Sequence, residues 1–359
     1  QSEGISQQIN TPSFSPWTSR GRTFGIPHDI HPVMLAYRAD IIEAAGIDVS
    51  TIQTWDDFVR VLRPLMASKT SSGEPRHYLL NFWETHFEQF EVYILQAGGT
   101  LFDAADVPTL NSDINARVMA QLVAWCNGPD RICADAPEFS ASGNQLLLEG
   151  YVLAALMPDW MCNVWKKEIP QLAGKVKLMP IPAWDTGGRR TSVRGGTMLG
   201  ISRTASNPDE LWRFAKHLYL SRDLARQLYK EGDIVTPVKT LWDDPIFDEP
   251  DPFFCNQAKG RMYLNLASSV PPRASSPYNR LAQLRMQDAL VALNTYSRRT
   301  KLFDVDSLMP ESQRLLDVAQ SAVQRELDRN VFLRGSQLVP VDSVSNPVDG
   351  GATLRERAP

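Results

Sequence analysis

The stretch Tyr151-Val152-Leu153-Ala154-Ala155-Leu156-Met157-Pro158-Asp159-Trp160 decides the fold class of this chain. Every residue from Val152 to Met157 is apolar. The run is too short to cross a membrane, which takes about 18 or more apolar residues, and Glu149 and Asp159 bracket it. A strand with one wet face would alternate, so an unbroken run reads as a strand buried on both faces. Working outward, Val176 to Ile181 and Thr197 to Ser202 are further strand candidates. Asn207-Pro208-Asp209-Glu210 reads as a capping box with proline at the first helical position, and Leu211, Phe214, Ala215 and Leu218 are expected to face a core. Upstream, Ser112 opens a helix with Ile114, Val118, Leu122 and Trp125 on its apolar stripe, and Gly128-Pro129 ends it. Tyr78 to Phe82 is a short apolar strand. Thr54 caps a helix with Asp57 at the reciprocal position, and Trp55, Phe58, Val59, Leu62, Leu65 and Met66 follow at helical spacing. Arg38 to Ala45 reads as a helix stopped by Gly46, and Arg22 to Ile26 as a strand ending at Pro27. Late helices are expected over Pro277–Asn294 and Pro310–Val331, the last with a stripe of Leu315, Ala319, Ala322, Val323 and Leu327. Strands alternate with helices, so the class is α/β. Residues 334–359 mix Gly, Pro, Ser and charge without period and read as a flexible tail.

The 359 residues suggest roughly two domains. Hydrophobic residues at 43% and charged residues at 22% are ordinary globular usage, which excludes wholesale disorder. Lys+Arg 37 against Asp+Glu 41 leaves a net charge of −4, so no positive field exists to hold nucleic acid. Gln1-Ser2-Glu3 lacks the basic start and apolar stretch of a secretory signal, and the absence of an initial Met reads as a processed or shortened chain. Cys126, Cys133, Cys162 and Cys255 form no C-x-x-C pair, so a zinc knuckle is not expected. Cys126 and Cys133 flank the turn Asn127-Gly128-Pro129-Asp130. A disulfide and two separate thiols both fit that spacing.

Phosphate-binding loops, dinucleotide fingerprints, nucleophile elbows and H-E-x-x-H are all missing. His28-Asp29-Ile30-His31 lies between Pro27 and Pro32 and is therefore extended. Its alternate side chains point to opposite faces, which does not make a metal site. What the sequence does offer is aromatic rings beside carboxylates at loop positions. Trp83-Glu84 and His86-Phe87 follow the Tyr78–Phe82 strand, and Asp159-Trp160 follows the Val152–Met157 strand. A ring and a carboxylate at a strand end suit a sugar: the apolar pyranose face stacks on the ring while hydroxyls bond the carboxylate. Buried core tryptophans are the plain alternative for any one ring.

The order of segments resembles the extracellular solute-binding proteins of bacterial ABC importers, in the sugar-binding, maltose-binding-protein-like group. Phe24-Gly25-Ile26-Pro27-His28-Asp29 with Leu35-Ala36-Tyr37-Arg38-Ala39-Asp40 is similar to that family's first crossing segment. Ala44-Ala45-Gly46-Ile47, Thr54-Trp55-Asp56-Asp57-Phe58, Gln96-Ala97-Gly98-Gly99 and Leu110-Asn111-Ser112 follow in family order. Ala155-Leu156-Met157 through Trp160, Gly195-Gly196 to Ser202 and Asn207-Pro208 complete the set, from about residue 22 to about residue 333.

The resemblance implies a two-lobed periplasmic-binding-protein-like fold with a hinge and an interlobe cleft. Lobe I would comprise residues 1–30 and 198–245, and lobe II residues 31–197 and 246–333. The family's usual segment before the first crossing is short here, so lobe I is expected to be incomplete. The implied function is the substrate-binding component of a carbohydrate importer, located in the periplasm or on the bacterial cell surface. It would bind a sugar, pass it to a membrane permease as a monomer, and use no cofactor. By position, the resemblance assigns His28 and Asp29 to the first crossing. Glu84, His86 and Phe87, with Trp83 beside them, fall on a loop reaching the ligand. Trp160 beside Asp159 becomes the stacking platform, Gly195 and Gly196 the crossing next to the cleft, and Tyr278 a contact at a helix start. An extracytoplasmic setting favours an oxidised Cys126–Cys133 pair. The rival expectation is a carbohydrate-active α/β enzyme with Glu84 and Asp159 as acid and base.

Overall fold

A computed structural model describes residues 3–19, 21–82 and 84–330. Trp83 and the expected 334–359 tail lie outside the described residues.

Three strands form the centre. Val33–Arg38 runs between Ala154–Pro158 and Val176–Pro180, antiparallel to both, with Leu35 opposite Leu156 on one side and Met179 on the other. Side chains alternate between faces. Val33, Leu35, Tyr37 and Leu156 enter one core; Met34, Ala36, Ala155, Met157 and Leu178 enter another. Both faces are covered, which is why the strand sequence is apolar without alternation.

The first core is mainly helical. It gathers the helices Trp55–Leu62, Phe87–Gln96, Asp113–Cys126, Asn279–Thr300 and Val305–Arg329. Thr54 and Asp57 make the expected capping box, each side chain accepting the other's main-chain N–H at 3.1 Å. The box aims Trp55 inward, where Phe58, Tyr93, Trp125 and Trp184 surround its ring with centroids 5.4–6.1 Å away. The last helix begins at Val305, capped by Asp304, so Pro310 sits inside it and forfeits one main-chain hydrogen bond. Its fully buried stripe is Leu308, Ser312, Leu316 and Val323, with Leu316 in the place expected for Leu315.

The second core, on the other sheet face, joins Met161, Trp165, Phe247, Phe254 and Tyr263. Tyr229 and Val235, expected with the 198–245 segment in the opposite lobe, also pack here. A third core is small: Ile9, Ile26, Ala215, Ala225, Val238 and Leu241. Its strands are the two-residue pair Ile26–Pro27 and Met198–Leu199, so the strand expected over Thr197–Ser202 is much shorter. The helix Pro208–Leu220 lies over this pair without a side-chain cap from Asn207. Leu211 and Phe214, expected in a core, are 42% and 57% exposed. Two short strands are too narrow to cover the helix, and only Ala215 is enclosed.

All four cysteines are thiols, contrary to the expected bridge. Cys126 and Cys133 are hydrogen-bonded neighbours, and burial raises the Cys133 thiol well above its ordinary pKa. A thiol held protonated is a poor nucleophile for disulfide exchange. Among the described residues no helix is long and apolar enough to cross a membrane.

Candidate functional site

Two segments run side by side between the small core and the central sheet. His28 N–H donates to the Thr197 carbonyl at 2.9 Å, and Pro32 bridges to Val193. A third segment joins where Ile30 N–H donates to the Val235 carbonyl at 3.2 Å. Three enclosed titratable groups tie these passages together. Asp29 accepts from Thr197 N–H at 3.3 Å. Asp159 opens the helix Asp159–Glu168 and accepts from Val235 N–H at 3.1 Å through Oδ2. His31 lies with Nδ1 3.7 Å from Asp29 Oδ1. Burial, reinforced by the Asp29 charge, raises Asp159 to about 7. Burial likewise raises Asp29 to about 6 and lowers His31 to about 4. Asp159 Oδ1 has no hydrogen-bond partner among the described residues.

Trp160, the next residue, turns outward and is half-buried. Its Nε1 donates to the Arg194 carbonyl at 3.4 Å. The crossing chain passes directly over it at Gly195, with φ 88°, where a Cβ would stand 2.9 Å from Trp160 Nε1. At Gly196, φ 104°, a Cβ would stand 3.0 Å from the His31 ring. Glycine is needed at both for conformation and for space.

Arg194 is 2% exposed and lies 5.8 Å over the Trp160 ring. Both of its Nη atoms donate to Glu138, one at 3.0 Å. His86 Nδ1 stands 3.4 Å from the same carboxylate, and Glu88, more than half exposed, stands 3.7 Å from Arg194 Nε. Burial alone would raise Glu138, but hydrogen bonds from His86 and Arg194 hold it at about 2. Phe139 follows, 53% exposed at φ 58°, with its ring 6.2 Å from that of Trp160 and only 15° from parallel. Behind the crossing, Arg273 pairs with Glu91 at 2.9 Å and donates to the Gly195 carbonyl at 3.4 Å.

The structure therefore brings together Asp29, Asp159, Trp160, Gly195, Gly196 and, through Glu138, His86. Within this group Asp159 is enclosed against Val235 rather than open to a ligand, because its carboxylate serves a buried main-chain N–H. The other candidates go elsewhere. The His28 ring packs 4.9 Å from Tyr219, toward the helices of the small core. Glu84 pairs with Arg298 at 3.1 Å, and its carbonyl accepts from Gln287 at 2.6 Å. Phe87 is in the first core beside Phe90, 7% exposed, because the first turn of its helix faces inward. Tyr278 accepts a hydrogen bond from Asn330 at 2.8 Å at the outer end of the helix pair. Glu84 and Asp159, the acid and base of the enzymatic expectation, are held by Arg298 and Val235 respectively. Among the described residues no three or more His, Cys, Asp or Glu side chains converge as metal ligands. Arg194, Glu138 and Phe139 were not singled out in the sequence, and His31 was considered there only as a metal ligand. Glu138-Phe139 nevertheless carries the same signal as Asp159-Trp160, a carboxylate followed by a ring.

Solved structures place the fold. An extracellular solute-binding protein of family 1 superposes with a TM-score of 0.70 at 17% identity, over 89% of this chain and 79% of that one. The sugar-binding protein MalE of Xanthomonas citri superposes with a TM-score of 0.68 at 16% identity, over 90% and 77%. The fold is thus the two-lobed α/β fold of binding proteins. The chain belongs to the bacterial extracellular solute-binding protein family, whose sequence profile matches residues 7–223. It is also similar to the arabinooligosaccharide-binding protein of Halalkalibacterium halodurans, 24% identical over 245 residues, 67% of this chain and 53% of that protein. The chain spans about half the length of that relative.

Proposed function

We propose that this chain is the sugar-capturing component of a carbohydrate importer, acting outside the cytoplasm and delivering its ligand to a membrane permease. The ligand is an oligosaccharide or a related polyol held between the lobes, without turnover. Among the described residues, those of 1–30 and 198–245 belong to lobe I, except that Tyr229 and Val235 pack with the sheet, and those of 31–197 and 246–330 belong to lobe II. The observation that carries the reading is Trp160. It is a half-buried ring, packed in part on the second core, at the point where the chain crosses, with buried Arg194 above it and the polar groups His86 and Glu88 at the rim. Such a ring binds the apolar face of a sugar, and the rim supplies hydroxyl partners. The relative's arabinooligosaccharide ligand points to the same substrate class.

The test is calorimetric titration of the 359-residue chain with arabinotriose and maltotriose, with chromatography of the mixtures for cleavage products. Binding of at least one sugar without new products is the expected result. Trp160→Ala should lose about 1–3 kcal/mol of that binding, as for a buried aromatic contact. Product formation, or unchanged affinity in the variant, would remove the reading.

A further inference from the structure

Three side chains fill the space where the crossing passages meet. Asp29 and His31 come from the first passage, and Asp159 from the start of the helix Asp159–Glu168. They are 3%, 1% and 0% exposed. Each ties one passage to another. Asp29 holds the second passage through Thr197 N–H, and Asp159 holds the third through Val235 N–H. The His31 ring packs against Gly196 of the second. Gly195 and Gly196, both at left-handed φ, give that passage two adjacent residues free to absorb a rotation.

The polar groups of this cluster are not all satisfied. Asp159 Oδ1 and His31 Nδ1 are enclosed without a hydrogen-bond partner among the described residues. Asp29 Oδ1 stands 3.7 Å from His31 Nδ1, beyond hydrogen-bond reach. The neighbouring elements do not make up the deficit. His28 faces Asp29 from its own passage, but burial holds it toward the neutral form. Tyr219 faces Asp29 from the helix Pro208–Leu220. Arg273 faces His31 from behind the crossing and is paired with Glu91. Cys162 and Tyr263 face Asp159 from the sheet side, and Lys259 beyond them is paired with Asp233.

With both carboxyls protonated, the cluster is neutral and stays dry without penalty. With both ionised, it encloses two like charges that only water can solvate. Water reaches them only if the passages part. Burial accordingly raises Asp29 to about 6 and Asp159 to about 7, while His31 is lowered to about 4 and brings no positive charge in that range.

We propose that Asp29, His31 and Asp159 form a proton-operated latch between the two lobes: protonated, it holds the three passages together, and ionised, it lets the lobes part. The latch is a property of the crossing and acts with or without a ligand in the cleft.

The experiment follows the native chain, Asp29→Asn and Asp159→Asn without ligand from about pH 5 to about pH 8 at fixed salt. Amide hydrogen exchange is corrected for its intrinsic pH dependence and accompanied by small-angle X-ray scattering and far-ultraviolet circular dichroism. Asparagine copies the shape of the protonated acid and does not ionise. In the native chain, protection of the Ile30, Thr197 and Val235 amides should fall roughly ten-fold or more as pH rises, the equivalent of at least one pKa unit. At every pH it should stay below that of Val33–Arg38. The radius of gyration should rise over the same range with the dichroism unchanged. Each variant should show a smaller fall and a smaller rise. Flat native profiles overturn the proposal. A fall in protection at constant radius also overturns it, because the amides would then fray with the lobes in place. So does exchange of the three amides only at the rate of Val33–Arg38, because the latch would then open only on unfolding. Native responses that persist in full in both variants belong to other groups and likewise overturn it. If one variant does not fold, the native profiles and the other variant decide.

Discussion

The two bodies joined by the crossing segments are built to different depths. Around the three-stranded sheet, both faces are covered, and the helical side alone encloses Trp55, Phe58, Phe90, Tyr93 and Phe102. The body on the Ile26–Pro27 and Met198–Leu199 pair encloses nothing larger than Leu241 and leaves Phe24, Leu211 and Phe214 exposed. A groove of about 730 Å³, lined by Phe14, Phe24, Ile26, Leu199 and Trp212 among others, opens on its surface. Under the function proposed above, stability and recognition would be carried unevenly. The sheet body supplies the rigid wall with Trp160, Arg194 and Glu138, while the smaller body has few buried contacts and lies at the low end of local stability.

The largest expected effect is in the sheet body. Trp55→Ala removes a ring enclosed by four others and leaves Gln96 Oε1 without the indole N–H it accepts at 3.1 Å. The cost should be about 3–5 kcal/mol of unfolding free energy in urea denaturation. A loss under about 1 kcal/mol would show that the aromatic cluster is not what holds the wall, and the contrast between the bodies would collapse.

Next is the ion pair under the site. Glu138→Ala leaves Arg194 buried with only the more distant Glu88 as counter-charge, which should cost about 3–5 kcal/mol or force the loop open. Because the folded pKa of Glu138 is depressed to about 2, its contribution is fully present above the ordinary glutamate range. It is lost only as pH falls from about 4.5 toward 2. Native denaturation midpoints should drop through that acid window, and the drop should be smaller in Glu138→Gln.

How much of this was legible follows from what each signal depends on. The doubly buried sheet could be read from Val152–Met157, because covering both faces leaves no polar alternation to hide it. Thr54 and Asp57 could be read because a capping box is local. Trp160 came from a ring beside a carboxylate at a strand end and again from the ordered family segments, and Gly195-Gly196 from those segments alone. The helix Pro208–Leu220 misled because its apolar spacing implies a core that the two-residue strands beneath it cannot provide. Phe87 misled because a ring beside a histidine looks the same in sequence whether its helix turns toward a cleft or a core. Arg194 and Glu138 were invisible as a pair. They are 56 residues apart, and only the packing of the loop against the crossing brings them together.

A smaller effect is expected where the bodies meet. Asp159 is raised to about 7, so the sign is opposite to that of Glu138. The folded state favours its protonated form, and its contribution is fully present below about 4 and lost as pH rises through 7. Asp29, raised to about 6, works in the same direction, while His31, lowered to about 4, loses stability as pH falls through the 6.5–4 range. Asp159→Asn keeps an acceptor for Val235 N–H without the charge. Relative to the native chain it should gain stability between pH 4 and pH 8 by about 1.4 kcal/mol or more, the equivalent of one pKa unit. A constant difference across that range would mean that Asp159 titrates as it does in solvent.

The smallest expected effect tests the shallow body directly. Phe214 is 57% exposed on the helix Pro208–Leu220, whose buried contact is made by Ala215. Phe214→Ser replaces an apolar surface ring with a small polar group and leaves no cavity. The global unfolding free energy should change by less than about 0.5 kcal/mol. Amide exchange sharpens the measurement, because it reports each body separately. Main-chain groups of Pro208–Leu220 and of the Ile26–Leu199 pairing should exchange through openings well below the global value. Those of Val33–Arg38 should exchange only with complete unfolding. Phe214→Ser should leave both classes in place. A loss approaching that of Trp55→Ala, or equal protection in the two bodies, would mean that the smaller body is packed as firmly as the sheet, and recognition could no longer be assigned chiefly to the wall that carries Trp160.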